Sequence, residues 1–371
     1  MAALARELAR RHDVTVLTSR ALSLPAASVD GGVEVLRAPV FFRRQLAVAN
    51  FPSMLAYLPS GTLKGLGLLR AGRFDVVNTH FVVPSGPVGH VLARIAKIPN
   101  VLSVHGGDLF DPSKASSPHR HTWLRAPIRY LLNAADEVVG QSQDTVRHVA
   151  DIYNVTRPVE LIPLGIERPP ATEARGAREE LGLPADAFVM VTVGRLVARK
   201  SVVQLVEALI SCGRADVHLV VVGDGPDSAA LQSAAASAGV AQRVRLLGHV
   251  SDAVKYQALA AADIFVSTSQ HEGFGLVFLE AMAFGLPVIC YDRGGQIDFL
   301  KSRETGHVAK LNDLADFTRA VVRLHDDPAL RRMIGTNNLQ RVEEFFIDRC
   351  AARYEALFAA TREQATRRMA K

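Results

Sequence analysis

Short runs of β-branched and aliphatic residues alternate with stretches of helical periodicity along most of the 371-residue chain. Most runs are continuously apolar, as expected of strands that are buried on both faces of a sheet. Repeated strand–helix units of this kind predict an α/β fold with parallel, doubly wound sheets. The predicted strands are 14–18, 33–37, 75–79, 100–104, 136–140, 159–163, 188–194, 217–223, 243–247, 263–267, 287–290 and 307–309.

So many strands exceed what one such sheet normally holds, so we predict two Rossmann-like domains, at residues 1–167 and 168–345. The segment 166–177 contains two prolines and no apolar period, which is typical of a linker. Residues 346–371 contain one long amphipathic helix. Ligands of doubly wound sheets bind at the carboxyl ends of the strands, so two facing domains would form a cleft between them.

The remaining composition narrows the class of protein. No run reaches the roughly 18 apolar residues needed to cross a bilayer, and the first residues lack the order of a signal peptide. The cysteines, Cys212, Cys290 and Cys350, are far apart and odd in number, which favours a reducing compartment without a disulfide or metal framework. We therefore expect a cytoplasmic protein.

The net charge lies entirely in the first part of the chain. Residues 1–165 hold 18 Lys and Arg against 12 Asp and Glu, and the remainder is balanced. A basic half suggests an anionic partner, although ordinary arginine richness explains it equally well. The basic and apolar stretch 41–59 suits an anionic membrane surface, or a loop and helix packed within the domain. Nucleic acid is disfavoured, because no recognition motif accompanies the charge.

The densest cluster of candidate site residues is Ser269–Pro287. It follows the predicted strand 263–267, and Gly273 and Gly275 precede an apolar helical run. A glycine-relaxed loop that leads into a helix presents free N–H groups and the positive end of the helix dipole, which suits a phosphate.

Two glutamates belong to this cluster, Glu272 in the loop and Glu280 in the helix. If all eight steps between them were helical, they would lie about 12 Å apart along the axis. That exceeds the ~5–9.5 Å separation of the two carboxyl groups of glycosidases. They fit better as clamps on one elongated ligand, at a sugar and a ribose. Alternatively, Glu280 lies on a solvated helix face and Glu272 is a charge at the helix N-terminus.

Three further loops follow predicted strands. Arg195 and Lys200 bracket a loop that could hold a diphosphate, or they are solvated surface cations. The Gly-x-Gly of 220–227 is a weak dinucleotide signal but could admit a base or ribose close to the backbone. His105 directly follows the strand 100–104 and is equally consistent with a structural and a functional role.

Taken in order, these motifs resemble the retaining glycosyltransferases of family 4, which have the GT-B architecture of two facing Rossmann-like domains. The resemblance spans about 191–310 and is weaker before residue 168. The residues that carry it are GRLVARK, VVVGDGP, LLGHVSD, ADIFVSTS, HEGFGLVFLEAMAFGLPVI and RGGQID, with HDVTVLTS, DVVNTH, SVHGGD, ADEVVGQS and IPLGIE in the earlier part.

The resemblance implies roles for single residues. Glu272 would contact the donor-sugar hydroxyls and Glu280 the ribose hydroxyls. Arg195 and Lys200 would hold the diphosphate, and His105 would sit beside the sugar carbon under attack.

It also implies that backbone groups at Phe274, Gly275 and Leu276 cradle sugar and phosphate, and that residues around Val250 line the base pocket. No cofactor or divalent metal is expected, because cations replace the metal's charge. Retention of anomeric configuration, by a front-face route assisted by the leaving phosphate, is implied as well. The last helix would cross back onto the first domain.

The chain departs from the family pattern at Ser201, where the family has glycine, and at Asp298, where it has glutamate. Family members also begin with a strand and a glycine-rich loop before the helix that leads into HDVTVLTS, and here both are expected to be missing. Besides transfer of a hexose to a glycan, lipid-linked or small-molecule hydroxyl, two alternatives stay open. They are a catalytically impaired sugar-nucleotide-binding protein or partner subunit, and a sugar-nucleotide epimerase of the same architecture.

Overall fold

The computed structural model of the protein describes residues 1–21, 23–41, 43, 51–114, 117–172 and 174–369, with the backbone alone at 174, 175 and 369. The strands are β1 Thr15–Ser19, β2 Ala27–Asp30, β3 Val33–Ala38, β4 Val77–His80, β5 Asn100–Val104, β6 Glu137–Gly140, β7 Glu160–Leu161, β8 Phe188–Val193, β9 Val217–Val222, β10 Val244–Gly248, β11 Ile264–Ser267, β12 Val288–Tyr291 and β13 Gly306–Ala309. The α-helices are α1 Ala2–Leu8, α2 Phe51–Ala71, α3 Ser85–Ala96, α4 Thr122–Ala134, α5 Gln143–Tyr153, α6 Ala174–Glu180, α7 Val203–Ser211, α8 Ser228–Ser237, α9 Asp252–Ala261, α10 Leu276–Ala283, α11 Leu314–Asp326, α12 Pro328–Val342 and α13 Ile347–Met369.

The chain folds into two compact units. Unit 1 comprises Met1–Gly165 and Ile347–Lys371, and unit 2 comprises Ile166–Phe346. The predicted linker 166–177 begins unit 2, where Ile166 pairs with Phe346. Its position 173 lies outside the described residues.

Unit 2 is built on a six-stranded sheet of order β10-β9-β8-β11-β12-β13, in which every pair is parallel. The central strands are buried throughout, which explains their continuous apolar sequence. The chain runs outward from β8 to β10 on one side, then returns to β11 and runs outward to β13 on the other. The order therefore reverses between β8 and β11, the point at which ligands of such sheets bind.

Unit 1 contains a parallel sheet of order β4-β5-β6-β7 and a separate sheet of order β1-β3-β2. In the second sheet β1 and β3 are parallel, as predicted, but β2 is antiparallel to β3. Strand β2 was missed because it is a largely exposed strand with no apolar run. Gly31 and Gly32 join it to β3, both with positive φ, the conformation that a two-residue hairpin requires.

The last helix, α13, belongs to unit 1 although the chain reaches it after unit 2. Cys350, Ala351 and Tyr354 pack with buried residues of β5 and β6 and with α1. The returning C-terminal helix is thus confirmed. Among the described residues, no helix is both long and apolar enough to cross a membrane.

Candidate donor-sugar site

The loops that follow β8 and β11 meet at the switch point of the unit 2 sheet. The Thr268 hydroxyl donates to the carbonyl oxygens of Lys200 and Ser201, at 3.1 and 3.0 Å. The Gln270 N–H donates to the Arg199 carbonyl at 2.8 Å. These bonds hold the turn 198–201 against the loop 268–272, and so bring two of the predicted candidate loops together.

Glu272 is buried between these loops and carries three side-chain partners. Lys200 Nζ donates to Oε1, Arg199 Nη1 lies 3.1 Å from Oε2, and Ser269 Oγ donates to Oε1 at 2.7 Å. Burial alone would raise the pKa of Glu272, but the charges of Lys200 and Arg199 and the hydrogen bonds outweigh it and lower the pKa. Glu272 is therefore an ionised carboxylate that is paired with two cations.

The backbone of Glu272 is held by the loop of the RGGQID motif. Its N–H donates to the Arg293 carbonyl at 3.2 Å, and its carbonyl accepts from the Gly295 N–H at 2.8 Å. Gly294 has φ +112°, and a Cβ there would lie 1.9 Å from the Glu272 carbonyl oxygen. Only glycine fits this close approach, so the two glycines position the glutamate.

Phe274, Gly275 and Leu276 lead from Glu272 into α10. The Phe274 ring is buried 5.2 Å from the ring of Phe299, between centroids, which anchors the loop. Gly275 is the N-cap residue with φ +90°, and Leu276 begins the helix. The N–H groups of a first helical turn have no partner within the helix and point outward, in the arrangement that suits an anion.

The diphosphate-holding role of Arg195 and Lys200 stays a prediction, and the two residues have different surroundings in the structure. Lys200 contacts Glu272, whereas the side chain of Arg195 is exposed and forms no hydrogen bond or ion pair with a described residue. Arg199, which was not predicted, also contacts Glu272. The R-x4-K pattern predicted Arg195 and Lys200, at the two ends of the loop. Nothing in the spacing distinguished Arg199, which lies between them, from a surface cation.

Ser201 adopts the left-handed conformation with φ +45°. This explains why glycine is the usual residue here in the resembling family, since a side chain at positive φ is strained.

Glu280 lies on α10 and is paired with Lys255 of α9 at 2.9 Å. Burial raises the pKa of Glu280, and Lys255 only partly opposes this shift. Val250 lies half-buried just before α9. Helix α10 begins only at Leu276, so the eight steps from Glu272 to Glu280 are not all helical. Lys255 was missed because nothing in the sequence links it to a residue 25 positions later.

The Gly-x-Gly of the loop after β9 packs on the loop after β8. A Cβ at Gly223 would lie 1.9 Å from the Gly194 carbonyl oxygen, and one at Gly225 would lie 2.1 Å from that of Leu196. These glycines therefore serve close backbone packing beside the site.

In unit 1, His105 follows β5 and forms hydrogen bonds through both ring nitrogens. Nε2 lies 3.0 Å from His80 Nδ1, and Nδ1 lies 3.0 Å from Gln141 Oε1. The ring of Phe81 lies 4.4 Å from the His105 ring, between centroids. Burial lowers the pKa of His105 to about 4, so the ring is neutral near pH 7. His80, Phe81 and Gln141 were not predicted.

Asp108 orients the loop that carries His105. It accepts the N–H of Val82 at 2.7 Å and the N–H of His105 at 2.8 Å. Burial raises its pKa to about 6 despite these bonds. The aspartate of the SVHGGD motif thus has a structural role, because it fixes the backbone at Val82 and His105.

Two family models together cover nearly the whole chain. The model of the glycosyl transferases group 1 matches residues 174–341, and that of glycosyltransferase family 4 matches residues 1–168.

Individual proteins are similar over most of their length. A D-inositol 3-phosphate glycosyltransferase of Thermomonospora curvata is 29% identical over 86% of this chain and 79% of its own. A UDP-Gal:alpha-D-GlcNAc-diphosphoundecaprenol alpha-1,3-galactosyltransferase of Escherichia coli is 30% identical over 72% of this chain and 70% of its own. The structure of a sucrose-phosphate synthase from Thermosynechococcus elongatus superposes with a TM-score of 0.82, at 24% identity, over 96% of this chain and 92% of that one.

Proposed function

Because the chain belongs to the family 4 glycosyltransferases of the GT-B type, which use sugar nucleotides, we propose that it moves a hexose from a nucleotide diphosphate sugar to a hydroxyl. The acceptor would be a glycan, a lipid-linked sugar or a small molecule. The observation that carries the proposal is the buried carboxylate of Glu272, held between Lys200 and Arg199 just before the N-terminus of α10.

Each site residue then has a role in the donor complex. Glu272 accepts hydrogen bonds from the sugar hydroxyls, and Glu280 from those of the ribose. The backbone N–H groups at Phe274, Gly275 and Leu276 face the phosphates, since a helix N-terminus favours an anion. Val250 borders the base. His105 is proposed to contact the sugar near the carbon under attack.

We propose that the reaction retains the anomeric configuration and needs no divalent metal. The supporting observation is that the proposed donor site contains two cations. Lys200 is paired with Glu272, and the exposed Arg195 forms no ion pair with a described residue. Two cations can neutralise the charge that develops on a leaving diphosphate.

The donor is tested with a panel of nucleotide sugars, and UDP-hexoses come first because one relative is named for UDP-Gal. A true donor raises the melting temperature by an amount that grows with the logarithm of its affinity. NMR of the product is expected to show the anomeric configuration of the donor, and turnover in a chelator is expected to match turnover without it. An inverted product would overturn the retaining assignment, and a donor panel without any shift would overturn the donor site.

We further propose peripheral contact with an anionic membrane at the cytoplasmic face. The supporting surface is formed by α2, α3 and α4, which pack side by side in unit 1. Leu92 of α3 would contact a Cβ placed at Gly65 of α2, and the rings of His90 of α3 and Tyr130 of α4 lie 5.5 Å apart between centroids.

This surface exposes large apolar side chains. Leu63 of α2 is 70% exposed, Ile95 of α3 is 56% exposed and Trp123 of α4 is 61% exposed. Part of the predicted membrane stretch 41–59 belongs to α2, but positions 42 and 44–50 lie outside the described residues. Tryptophan and aliphatic side chains of this kind enter the interfacial region of a bilayer.

The charge of the surface has one sign. None of the three helices contains Asp or Glu, and none of their basic residues forms an ion pair with a described residue. The basic residues are Lys64, Arg70, Arg94, Arg125 and Arg129. A symmetric contact between two copies would place like charges together, whereas anionic lipid complements them.

Vesicles of phosphatidylglycerol and phosphatidylcholine test this contact against vesicles of phosphatidylcholine alone. We expect salt-sensitive binding to the anionic vesicles only, weakened about tenfold by Arg94→Glu, since each basic residue near such a surface contributes about 1 kcal/mol. Arg332→Glu, an exposed position of unit 2, is the matched control and is expected to bind like the unaltered protein. Equal loss in both variants would point to net charge alone and contradict the proposed surface.

A further inference from the structure

A continuous chain of side-chain hydrogen bonds runs through unit 1 beneath His105. Its neighbouring members lie 3.0 to 3.1 Å apart. In order, it consists of Gln141, His105, His80, Asn78, Ser103 and Tyr354.

The amide of Gln141 sets the direction of this chain. Its Nε2 donates to the carbonyl oxygen of His105, a group that can only accept. Its Oε1 therefore faces His105 Nδ1, 3.0 Å away, and requires a proton there. The orientation of one amide thus fixes His105 as the Nδ1–H tautomer.

The same logic passes along the chain. A neutral imidazole carries a single N–H, so Nε2 of His105 is an acceptor and His80 Nδ1 donates to it. Nε2 of His80 is then the acceptor for Asn78 Nδ2. Burial lowers the pKa of His80 well below its ordinary value, and nearby His105 acts in the same direction. The neutral form of both rings is therefore favoured.

The far end agrees with this direction. Asn78 Oδ1 accepts from the Ser103 hydroxyl, and Ser103 Oγ accepts from the Tyr354 hydroxyl. Each link of the chain joins one donor to one acceptor, and no bond in the chain has to be reversed. The Gln141 end has a fixed backbone acceptor, whereas the Tyr354 end has a hydroxyl that can rotate.

We propose that Gln141 is the positioning residue that fixes the tautomer of His105, with the consequence that neither ring nitrogen of His105 exchanges a proton with a bound sugar. The catalytic importance of this state rests on the proposed function. His105 then contributes a neutral, fixed ring beside the substrate and does not act as an acid or base.

Nitrogen NMR of protein labelled in its histidine rings tests the tautomer directly, without substrate. In the unaltered protein, Nδ1 is expected to carry the proton in both His105 and His80. Gln141→Met should abolish this preference at both rings. Tyr354→Phe, the matched loss of one polar group at the other end, should preserve it.

A proton on Nε2 of His105 in the unaltered protein would overturn the proposal, even if Gln141→Met fails to fold. A tautomer change in Tyr354→Phe but not in Gln141→Met would overturn it as well, because direction would then come from the other end.

Kinetics test the link to turnover. Gln141→Met is expected to lower kcat about tenfold with little change in the KM for the donor, since a misplaced group beside the reacting carbon costs turnover more than binding. Tyr354→Phe should stay within about twofold. An unchanged kcat in a Gln141→Met protein that has lost the tautomer would overturn the positioning role. Absence of any transfer by the unaltered protein would instead count against the proposed function, while the NMR result still decides the tautomer.

Discussion

Glu272 in unit 2, which is buried, and His105 in unit 1, which is half-buried, are both polar groups after a central strand, but they are stabilised in opposite ways. Glu272 is ionised and held by two cations and a hydroxyl. His105 is neutral and held by a chain of uncharged hydrogen bonds. A charged group in low dielectric needs an opposite charge, whereas a neutral one needs only matched donors and acceptors.

Because of this difference, removing a side chain is expected to have different consequences at the two sites. Removing Glu272 leaves two partly buried cations without their partner, which is more costly than removing a neutral hydrogen bond. Removing a member of the His105 chain changes the position of protons but leaves no uncompensated charge.

The largest effect is expected for Glu272→Ala. Loss of the carboxylate should lower kcat by about a thousandfold, the scale observed when a preorganised polar group at a reaction centre is removed. Glu280→Ala should instead weaken donor binding about tenfold with a smaller effect on kcat. Steady-state kinetics with the identified donor separates the effect on kcat from the effect on donor binding. Equally small effects of both substitutions would contradict the different roles of the two glutamates.

Acidification should affect unit 1 before unit 2. The lowered pKa values of His80 and His105 contribute stability that is present above pH 6.5 and is lost as pH falls toward 4. Asp108, with a pKa raised to about 6, acts in the opposite direction but is a single group. Two groups therefore oppose one, so unit 1 should lose stability as the pH falls from 7 to 5.

Glu272 behaves differently, because its lowered pKa keeps its contribution until pH falls below its ordinary value of 4.5. Amide hydrogen exchange, corrected for intrinsic rates, should show β5 losing protection before β8. The decline should be steeper in Asp108→Asn, which removes the opposing group. A loss that begins in β8 would contradict the assignment.

A smaller difference is expected between the two arginines of the loop after β8. Arg199→Ala should destabilise unit 2 by about 2 kcal/mol, since a hydrogen bond to a buried charge is lost. Arg195→Ala, at an exposed position, should change stability by less than about 0.5 kcal/mol yet weaken binding of the bare nucleoside diphosphate. Thermal unfolding and calorimetry measure the two effects, and a reversed order would show that Arg199 is not the partner of Glu272.

The smallest effect is expected for Ser201→Gly. Glycine adopts positive φ at less cost, so unfolding of unit 2 should require up to about 1 kcal/mol more. Gly176→Ala, at a position where a Cβ meets nothing within 4 Å and φ is not positive, is a control outside this backbone conformation. A destabilised Ser201→Gly protein would show that the serine hydroxyl, which contacts the Ala198 carbonyl at 3.3 Å, outweighs the strain.

The sequence predicted unit 2 better than unit 1, for physical reasons. Strands buried on both faces have continuously apolar sequences, and a position such as Gly294, where two backbone segments approach closely, requires glycine. Both features can be recognised in the sequence. The exposed strand β2 has neither. The division of the unit 1 strands into two sheets depends on pairing between distant segments, which a local pattern does not encode.

The side-chain partners were harder to predict than the loops. Glu272 and Lys200 belong to motifs, but the contact of Arg199 with Glu272 spans 73 positions and that of Tyr354 with Ser103 spans 251. His80 ends β4 and Gln141 directly follows β6, the two strands on either side of β5 and His105, so the order of the strands brings these residues together.

The return of α13 to unit 1 sets an order for biosynthesis. Unit 2 is one continuous stretch, so it can complete its core as soon as residue 346 has left the ribosome. Unit 1 has most of its residues first but waits for Cys350, Ala351 and Tyr354 to cover β5 and β6. Domains usually fold in the order of their synthesis. Here the unit made first is finished last, and its partly open core has to remain soluble while unit 2 is translated.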